Sequence, residues 1–347
     1  MKITFFIGGM KRGGAERVIS ILANHYAKKG WNVDIVLLLY PNVQYELNQN
    51  INIIDMAAGE GSYIKKVPKW IKKIRKYIIK EKPDRIVSFV GRINMLVLTA
   101  SIGLKKSIIV SERNDPKNDG RGKIIQKYCN IIYRRAKAIV FQTKYEKSCF
   151  SKKLKQAYII PNPVTVNINP ILCAKDEIVT AGRLQPQKNQ KVLIEAFNVI
   201  HKMYPGLKLK IYGDGILKED LLTQVKEYKL ENEVELCGNV NDLHKRIVGS
   251  RLFILTSEYE GLSNALIEAM MLGIPCISTD YPGVNEIIKN NYNGVIVKRN
   301  DVKDICRGIK KVLENKDFSE RISKNALEDS KKYSEKVIIK EWEKVIE

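Results

Sequence analysis

Glu260 and Glu268 bracket the small-residue run Gly261-Leu262-Ser263-Asn264, and upstream of them Arg183 and Lys188 stand in Gly182-Arg183-Leu184-Gln185-Pro186-Gln187-Lys188-Asn189. Two carboxylates and two cations around a turn that opens a helix suit a ligand that is both anionic and rich in hydroxyls. N–H groups at a helix start have no acceptor inside the helix, and the dipole presents its positive end there, so a diphosphate can settle against them. Arg183 offers a flat fork to two phosphate oxygens, and Lys188 a point charge. When the bond from a sugar's anomeric carbon to a diphosphate breaks, negative charge grows on the β-phosphate. Cations already in place stabilise that charge without a metal ion. The plain alternative for Arg183 and Lys188 is a surface salt-bridge pair. The two glutamates could instead form a glycosidase pair, which leaves both cations unexplained.

These residues need elements to hold them. Short apolar runs alternate with helical patterns, which predicts parallel sheets wrapped by helices. In the first half strands are expected at 3–7, 33–39, 85–90, 107–111 and 138–142, and helices near 15–29, 64–80, 93–101 and 121–135. The second half restarts with strands near 177–181, 208–212, 233–236, 252–256, 275–278 and 294–297, and helices near 189–203, 216–229, 264–273, 284–289 and 301–315. The proline-rich stretch from Pro161 to Pro170 reads as a linker. The expected division is therefore an α/β domain over 1–160, a linker over 161–175, a second α/β domain over 176–330 and a final segment over 331–347. Two doubly wound domains would turn the carboxyl ends of their strands toward one cleft. The last helix carries Val337, Ile338, Trp342, Val345 and Ile346 at helical spacing.

A second loop precedes the first helix: Gly8-Gly9-Met10-Lys11-Arg12-Gly13-Gly14-Ala15-Glu16. Its spacing fits neither the dinucleotide fingerprint nor a phosphate-binding P-loop, which disfavours a dehydrogenase or a kinase. Gly13 and Gly14 let backbone approach a bulky ligand, or simply make a tight turn. Glu16 and Arg17 follow in an ordinary charged first turn, and Arg92 follows the strand from Ile86 to Val90.

The two motifs, in this order, resemble the donor-site signature of glycosyltransferase family 4, retaining sugar transferases of the two-domain GT-B architecture. The resemblance implies a UDP-sugar donor, with Arg183, Lys188 and Glu260 as catalytic candidates. By the same resemblance Glu268 would accept hydrogen bonds from the ribose and Glu260 would meet hydroxyls of the transferred sugar. Gly261, Leu262, Ser263 and Asn264 would complete the phosphate and sugar contacts beside Gly182. Gly14, with Gly13, would lie beside the diphosphate and the acceptor, and the last helix would cross back onto the first domain. One departure stands out: many members place a histidine where this chain has Ser111-Glu112-Arg113-Asn114-Asp115-Pro116. That segment looks like the subgroup building bacterial surface polysaccharides and lipid-linked oligosaccharides with hexose or N-acetylhexosamine donors. Gly13, Glu16, Arg92, Arg113 and Asn114 are then the acceptor-side candidates. No cofactor is implied.

A length of 347 residues suits two domains, and 44% apolar with 28% charged residues is the composition of a soluble chain. No apolar run reaches the roughly 20 residues a membrane-spanning helix needs. The opening Lys2 to Ile7 is too short for a signal peptide and reads as a first buried strand, so a cytoplasmic location is expected. Cys129, Cys149, Cys173, Cys237, Cys276 and Cys306 are scattered, as are His25, His201 and His244, and neither disulfides nor a metal site is indicated. The net charge of +22 asks for an anionic partner or reflects compositional bias. Nucleic-acid signatures are missing, which leaves anionic lipid on the inner face of the cell membrane as the expected surface partner. On a helix starting near Pro68, Trp70, Ile71, Ile74, Tyr77 and Ile78 share a face flanked by Lys69, Lys72, Lys73 and Lys76, which suits either a membrane surface or core packing. Two other classes stay open: a GT-B relative acting on the nucleotide sugar itself, such as an epimerase or hydrolase, and a noncatalytic carbohydrate- or lipid-binding scaffold.

Overall fold

The computed structural model describes residues 1–11, 13–57, 63–154, 156–171 and 175–347, without the side chains of 63 and 64. Arg12 and Cys173 thus lie outside the described residues. The chain forms two compact units, Met1–Pro163 with Glu335–Glu347, and Val164–Ser334. The divide therefore falls at Pro163 and again at Ser334.

In chain order the first unit contains β1 (Lys2–Ile7), α1 (Gly14–Lys28), β2 (Asn32–Leu37), β3 (Ile51–Asp55), α2 (Tyr63–Glu81), β4 (Arg85–Phe89), α3 (Gly91–Ala100), β5 (Ile108–Ser111), α4 (Lys123–Ile132), β6 (Ala138–Phe141), α5 (Lys144–Ser148) and β7 (Ala157–Ile159). The second contains β8 (Lys175–Ala181), α6 (Gln190–His201), β9 (Lys208–Tyr212), α7 (Lys218–Glu227), β10 (Val234–Gly238), α8 (Leu243–Ile247), β11 (Ser250–Leu255), α9 (Asn264–Met271), β12 (Cys276–Thr279), β13 (Val295–Val297), α10 (Val302–Glu314) and α11 (Lys316–Ser330). The final helix α12 (Glu335–Ile346) returns to the first unit.

Each unit has one parallel sheet, seven-stranded in the order β3-β2-β1-β4-β5-β6-β7 and six-stranded in the order β10-β9-β8-β11-β12-β13. This is a two-domain, Rossmann-like α/β fold. Strand order reverses between β1 and β4 in one sheet and between β8 and β11 in the other. In open α/β sheets ligands bind beyond the strand carboxyl ends at such reversals, and the loops carrying Arg183 and Glu260 leave β8 and β11.

The alternation of side chains along a strand sends Ile3, Phe5 and Ile7 into one apolar layer and Phe6 into the other. The first layer takes α1 and α12, through Ile338, Trp342, Val345 and Ile346; the second takes α2 and α3. Trp342 is fully buried and stacks on Phe89 at 5.6 Å, while Arg85 Nε donates to the Ile346 carbonyl at 2.6 Å. Val337 of the same helix stays exposed. In the second unit Ile178, Leu209 and Leu252 pack with α6 and α10, and Val179, Phe253 and Leu255 pack with α9.

Several elements differ from the sequence expectation. β3 and β7 are absent from the sequence expectation: both are short edge strands, β3 with a single buried residue and polar Asn52 within it, β7 with three residues and none buried. The helix expected over 284–289 is one turn, Val284–Glu286, because Asn293 takes the Ile287 carbonyl and the Lys289 N–H that a longer helix would use. α2 begins at Tyr63, with Pro68 inside it rather than at its start. Its Trp70, Ile74, Tyr77 and Ile78 are buried in the core, so the apolar face of α2 is spent on packing, while Lys69, Lys72 and Lys76 face outward together with Ile79.

Candidate active site

Beyond β8 the chain is pressed against the turn after β9. Gly213 has φ 131°, and a Cβ there would lie 2.0 Å from the Gly182 carbonyl; at Gly215 it would lie 2.4 Å from the Leu184 carbonyl. Only glycine fits both the backbone conformation and the approach at Gly213. Leu184 N–H donates to the Asp214 carbonyl at 3.0 Å and its side chain is fully buried, which fixes the loop and leaves Arg183 exposed. The Lys188 stem runs along the bare face of Gly182, where an added Cβ would meet Lys188 Cε at 3.3 Å. Sequence reading missed Gly213-Asp214-Gly215; a Gly-x-Gly directly after a strand was the available signal.

The loop beyond β11 is bonded to the loop beyond β8. Glu258 N–H donates to the Gln187 carbonyl at 2.8 Å, Gln187 Nε2 to the Tyr259 carbonyl at 2.8 Å, and Asn189 Nδ2 to Glu258 Oε1 at 2.8 Å. Thr256 Oγ1 lies 3.0 Å from the carbonyls of both Lys188 and Asn189. Asn189 takes the left-handed conformation (φ 48°) that asparagine tolerates, and so opens α6. At the centre, Lys188 Nζ lies 2.5 Å from Glu260 Oε1, to which Ser257 Oγ donates at 2.6 Å. The Lys188 and Glu260 side chains are 16% and 8% exposed, so the pair acts in a medium far less screening than water.

Ser263 stands at the start of α9, with its Oγ buried and without a hydrogen-bond partner among the described residues. Beside it the first-turn N–H groups of α9 have no acceptor within the helix. Gly261 and Asn264 are partly exposed there, and Leu262 is buried in the core. One turn further, Glu268 is buried, and His244 Nε2 from α8 lies 3.4 Å from Glu268 Oε2. A lone histidine on a five-residue helix gave no sequence signal for this contact. Among the described residues no three His, Cys, Asp or Glu side chains gather as a metal-holding group.

In the first unit the glycine loop follows β1. Tyr45 OH accepts from the Gly13 N–H at 3.0 Å and donates to the Gly13 carbonyl at 2.8 Å; Tyr45 is another residue the sequence did not single out. The backbone at Gly13 is extended, and an added Cβ would meet the Glu16 carboxylate. Gly14 begins α1. Beyond β4, Val90 adopts φ 73°, a strained conformation for a β-branched residue. Gly91 follows against Arg121, and Arg92 is exposed.

Glu112 and Arg113, adjacent in sequence, both turn inward. Glu112 accepts from Arg121 at 2.8 Å and from the Tyr133 hydroxyl. Arg113 Nε donates to Ser111 Oγ at 2.7 Å and its Nη1 to Asn162 Oδ1 at 2.8 Å, while the guanidinium lies 5.3 and 5.4 Å from the Phe89 and Trp342 rings. Arg113, expected at the acceptor, is thus a buried bolt between β5 and α12, whereas Asn114 is exposed. Burial weakens the hold of Arg113 on its proton, against the Glu146 charge. Burial likewise raises the Glu146 carboxyl above its usual range, opposed by the Gln142 N–H and by Arg113.

Two family models cover the chain between them: "Glycosyltransferase Family 4" over residues 12–167 and "Glycosyl transferases group 1" over 168–329. An uncharacterized glycosyltransferase of Haemophilus influenzae is 27% identical, with 99% of each chain covered. An alpha-1,4-N-acetyl-D-galactosaminyltransferase of Campylobacter jejuni, named for an undecaprenol-diphosphate-linked saccharide, is 26% identical over all of this chain and 98% of its own. In fold the chain is similar to Anabaena HepE, solved with UDP and glucose (TM-score 0.82, 17% identity, 99% and 98% covered). It is also similar to the lipopolysaccharide outer core galactosyltransferase WaaB (TM-score 0.80, 18% identity, 100% and 99% covered). Matched along both units, and carrying its two signature loops bonded together at the strand reversal, the chain belongs to glycosyltransferase family 4 and has the GT-B fold.

Proposed function

We propose that this glycosyltransferase is retaining, needs no metal ion, and moves a hexose or N-acetylhexosamine from a UDP-sugar to a hydroxyl of a lipid-linked or polymeric saccharide in bacterial glycan biosynthesis. The observation that carries the reading is the Lys188–Glu260 pair, largely shielded from water, beside exposed Arg183, at the reversal between β8 and β11. Arg183 and Lys188 neutralise the diphosphate as it departs. Glu260, already oriented by Lys188 and Ser257, receives hydroxyls of the transferred sugar. Ser263 Oγ and the α9 first turn donate to phosphate or sugar oxygens, and Glu268, steadied by His244, accepts from the ribose.

In the step itself the acceptor oxygen bonds to the anomeric carbon on the face the diphosphate leaves, the carbon–oxygen bond to phosphate breaks, and a donor phosphate oxygen takes the acceptor proton. Glu260 is engaged by Lys188 and Ser257, which suits a positioning carboxylate rather than a nucleophile. The acceptor class follows the relatives, whose names include lipid-linked and poly(ribitol-phosphate) acceptors. No helix among the described residues is long and apolar enough to cross a membrane, and the proposed location is the inner membrane face, held peripherally. The test is a UDP-sugar screen by UDP release, with lipid extract as acceptor. Release that requires the acceptor supports the transferase; release without it points to a hydrolase, and binding without turnover to a scaffold.

A further inference from the structure

α4 carries an apolar stripe that the protein core does not cover. Ile124, Tyr128 and Ile131 are 84%, 41% and 62% exposed and share one side of the helix at i, i+4 and i+7, while Ile125, 43% exposed, stands at the margin toward the buried Cys129 and Ile132. Only Cys129 and Ile132 of α4 are buried, in the layer beneath. The contrast with α2 is informative: α2 has the same kind of sequence stripe, but its aromatic and aliphatic face is packed inside. A contiguous exposed apolar stripe of this kind marks a surface that meets a partner accepting apolar side chains.

The charge around the stripe says which partner. Lys123 and Lys127 flank the isoleucines, and Arg134 and Arg135 follow in the next turn, all four exposed and none in an ion pair among the described residues. No acidic residue occurs from Lys123 to Arg135. A second copy meeting this face by two-fold symmetry would set four cations against four. Nucleic acid would find little to stack on, since Tyr128 is the stripe's one ring and its hydroxyl is bonded to Thr99 at 2.6 Å. An anionic lipid surface satisfies both features, taking the isoleucines at the acyl boundary and the cations at the headgroups.

We infer that α4 is the element by which this protein lies on an anionic membrane. The helix starts two residues after Arg121, which is bonded to Glu112 at the carboxyl end of β5, so the docked helix begins at the sheet edge that also bears the Gly13 and Arg92 loops. The inference deepens the proposed lipid-linked acceptor and rests on that reading only for its purpose; the surface chemistry stands by itself.

The experiment is vesicle flotation with the full chain, on phosphatidylcholine alone and on phosphatidylcholine with phosphatidylglycerol, alongside UDP release on a soluble saccharide acceptor. Wild type should float only with the anionic vesicles, and less at high salt. Ile124→Ser with Ile131→Ser should lower partition about 30-fold or more through lost apolar burial. Lys123→Gln, Lys127→Gln, Arg134→Gln and Arg135→Gln together should lower it by about 100-fold or more at low salt. Thermal midpoints should stay unchanged, because all six side chains are already exposed. Lys69→Gln, Lys72→Gln and Lys76→Gln on α2 should matter less than the α4 set. Undiminished flotation of both α4 variants, salt-independent binding to neutral vesicles, or a wild type that ignores anionic vesicles would each overturn the inference. So would a wild-type dimer that the isoleucine variant dissolves. UDP release on the soluble acceptor should be unchanged in the α4 variants; its failure in wild type would strike the proposed function and not the membrane surface.

Discussion

Removing Lys188 separates two roles that the geometry joins. Its ammonium lies 2.5 Å from Glu260 Oε1 with both side chains largely shielded from water, so Lys188→Ala leaves a buried carboxylate without its cation, held by Ser257 and Gln187. Breaking a buried pair from one side costs about 3 to 5 kcal/mol, and the partial exposure of Lys188 places this case near 3. Turnover should fall about 100-fold or more, since a preplaced charge at the leaving group contributes ~2.7 to 4 kcal/mol in the transition state. The double variant Lys188→Met, Glu260→Gln removes the orphaned charge and should return to within about 1 kcal/mol of wild-type stability. Its turnover should stay low, because the cation is still missing. Urea unfolding and UDP release at saturating donor read the two quantities separately. Turnover within about threefold of wild type in folded Lys188→Ala would refute the catalytic role. Recovery of turnover along with stability in the double variant would show that Lys188 serves the fold alone.

Arg183→Ala should lose about 100-fold in turnover while stability changes by less than about 0.5 kcal/mol, because the side chain is exposed; near-normal turnover would remove it from the mechanism. Glu268→Ala should weaken UDP binding by about 1.5 to 3 kcal/mol in calorimetry, and an unchanged Kd would contradict the ribose assignment. Asp34 supplies the pH dependence. Burial raises its pKa, but hydrogen bonds from Tyr77, Lys2 and Asn52 outweigh this and hold the carboxyl below its usual range. A depressed pKa contributes stability that is present above the unfolded value and lost as pH falls through the folded one, so the loss belongs to the region below about pH 4. Asp34→Asn should therefore lower stability at neutral pH and flatten that acid limb; a limb of unchanged slope would exclude Asp34 as its source.

What could be read from the chain, and what could not, follows from where each signal resides. The central strands were legible because strands buried on both faces are continuous apolar runs, as Phe5 to Ile7 and Phe253 to Leu255 are. β3, with a single buried residue, carries no such run. The loops of Arg183 and Glu260 were legible because each joins a strand end to a helix start, which is a local pattern. Their attachment to one another, through Gln187 and Asn189, is a tertiary fact. So is the need for glycine at Gly213, which comes from the neighbouring Gly182 carbonyl. Arg113 looks like any exposed cation until Asn162 and Trp342, both distant in sequence, are brought around it. The amphipathic stripe of α2 is the same whether core or lipid covers it; only burial distinguishes them, and it assigns α2 to the core while leaving the stripe of α4 outside.

The proposed reaction is transfer from a UDP-sugar with protein cations, not a metal ion, meeting the diphosphate. Its most direct measurement is UDP release by the purified chain across a UDP-sugar panel, with excess chelator present, and with or without saccharide-lipid acceptor. Release is expected with at least one UDP-hexose or UDP-N-acetylhexosamine, dependent on the acceptor and unchanged in rate under chelation, with an α-linkage in the product. Release abolished by chelator and restored by manganese, or release indifferent to the acceptor, would contradict it.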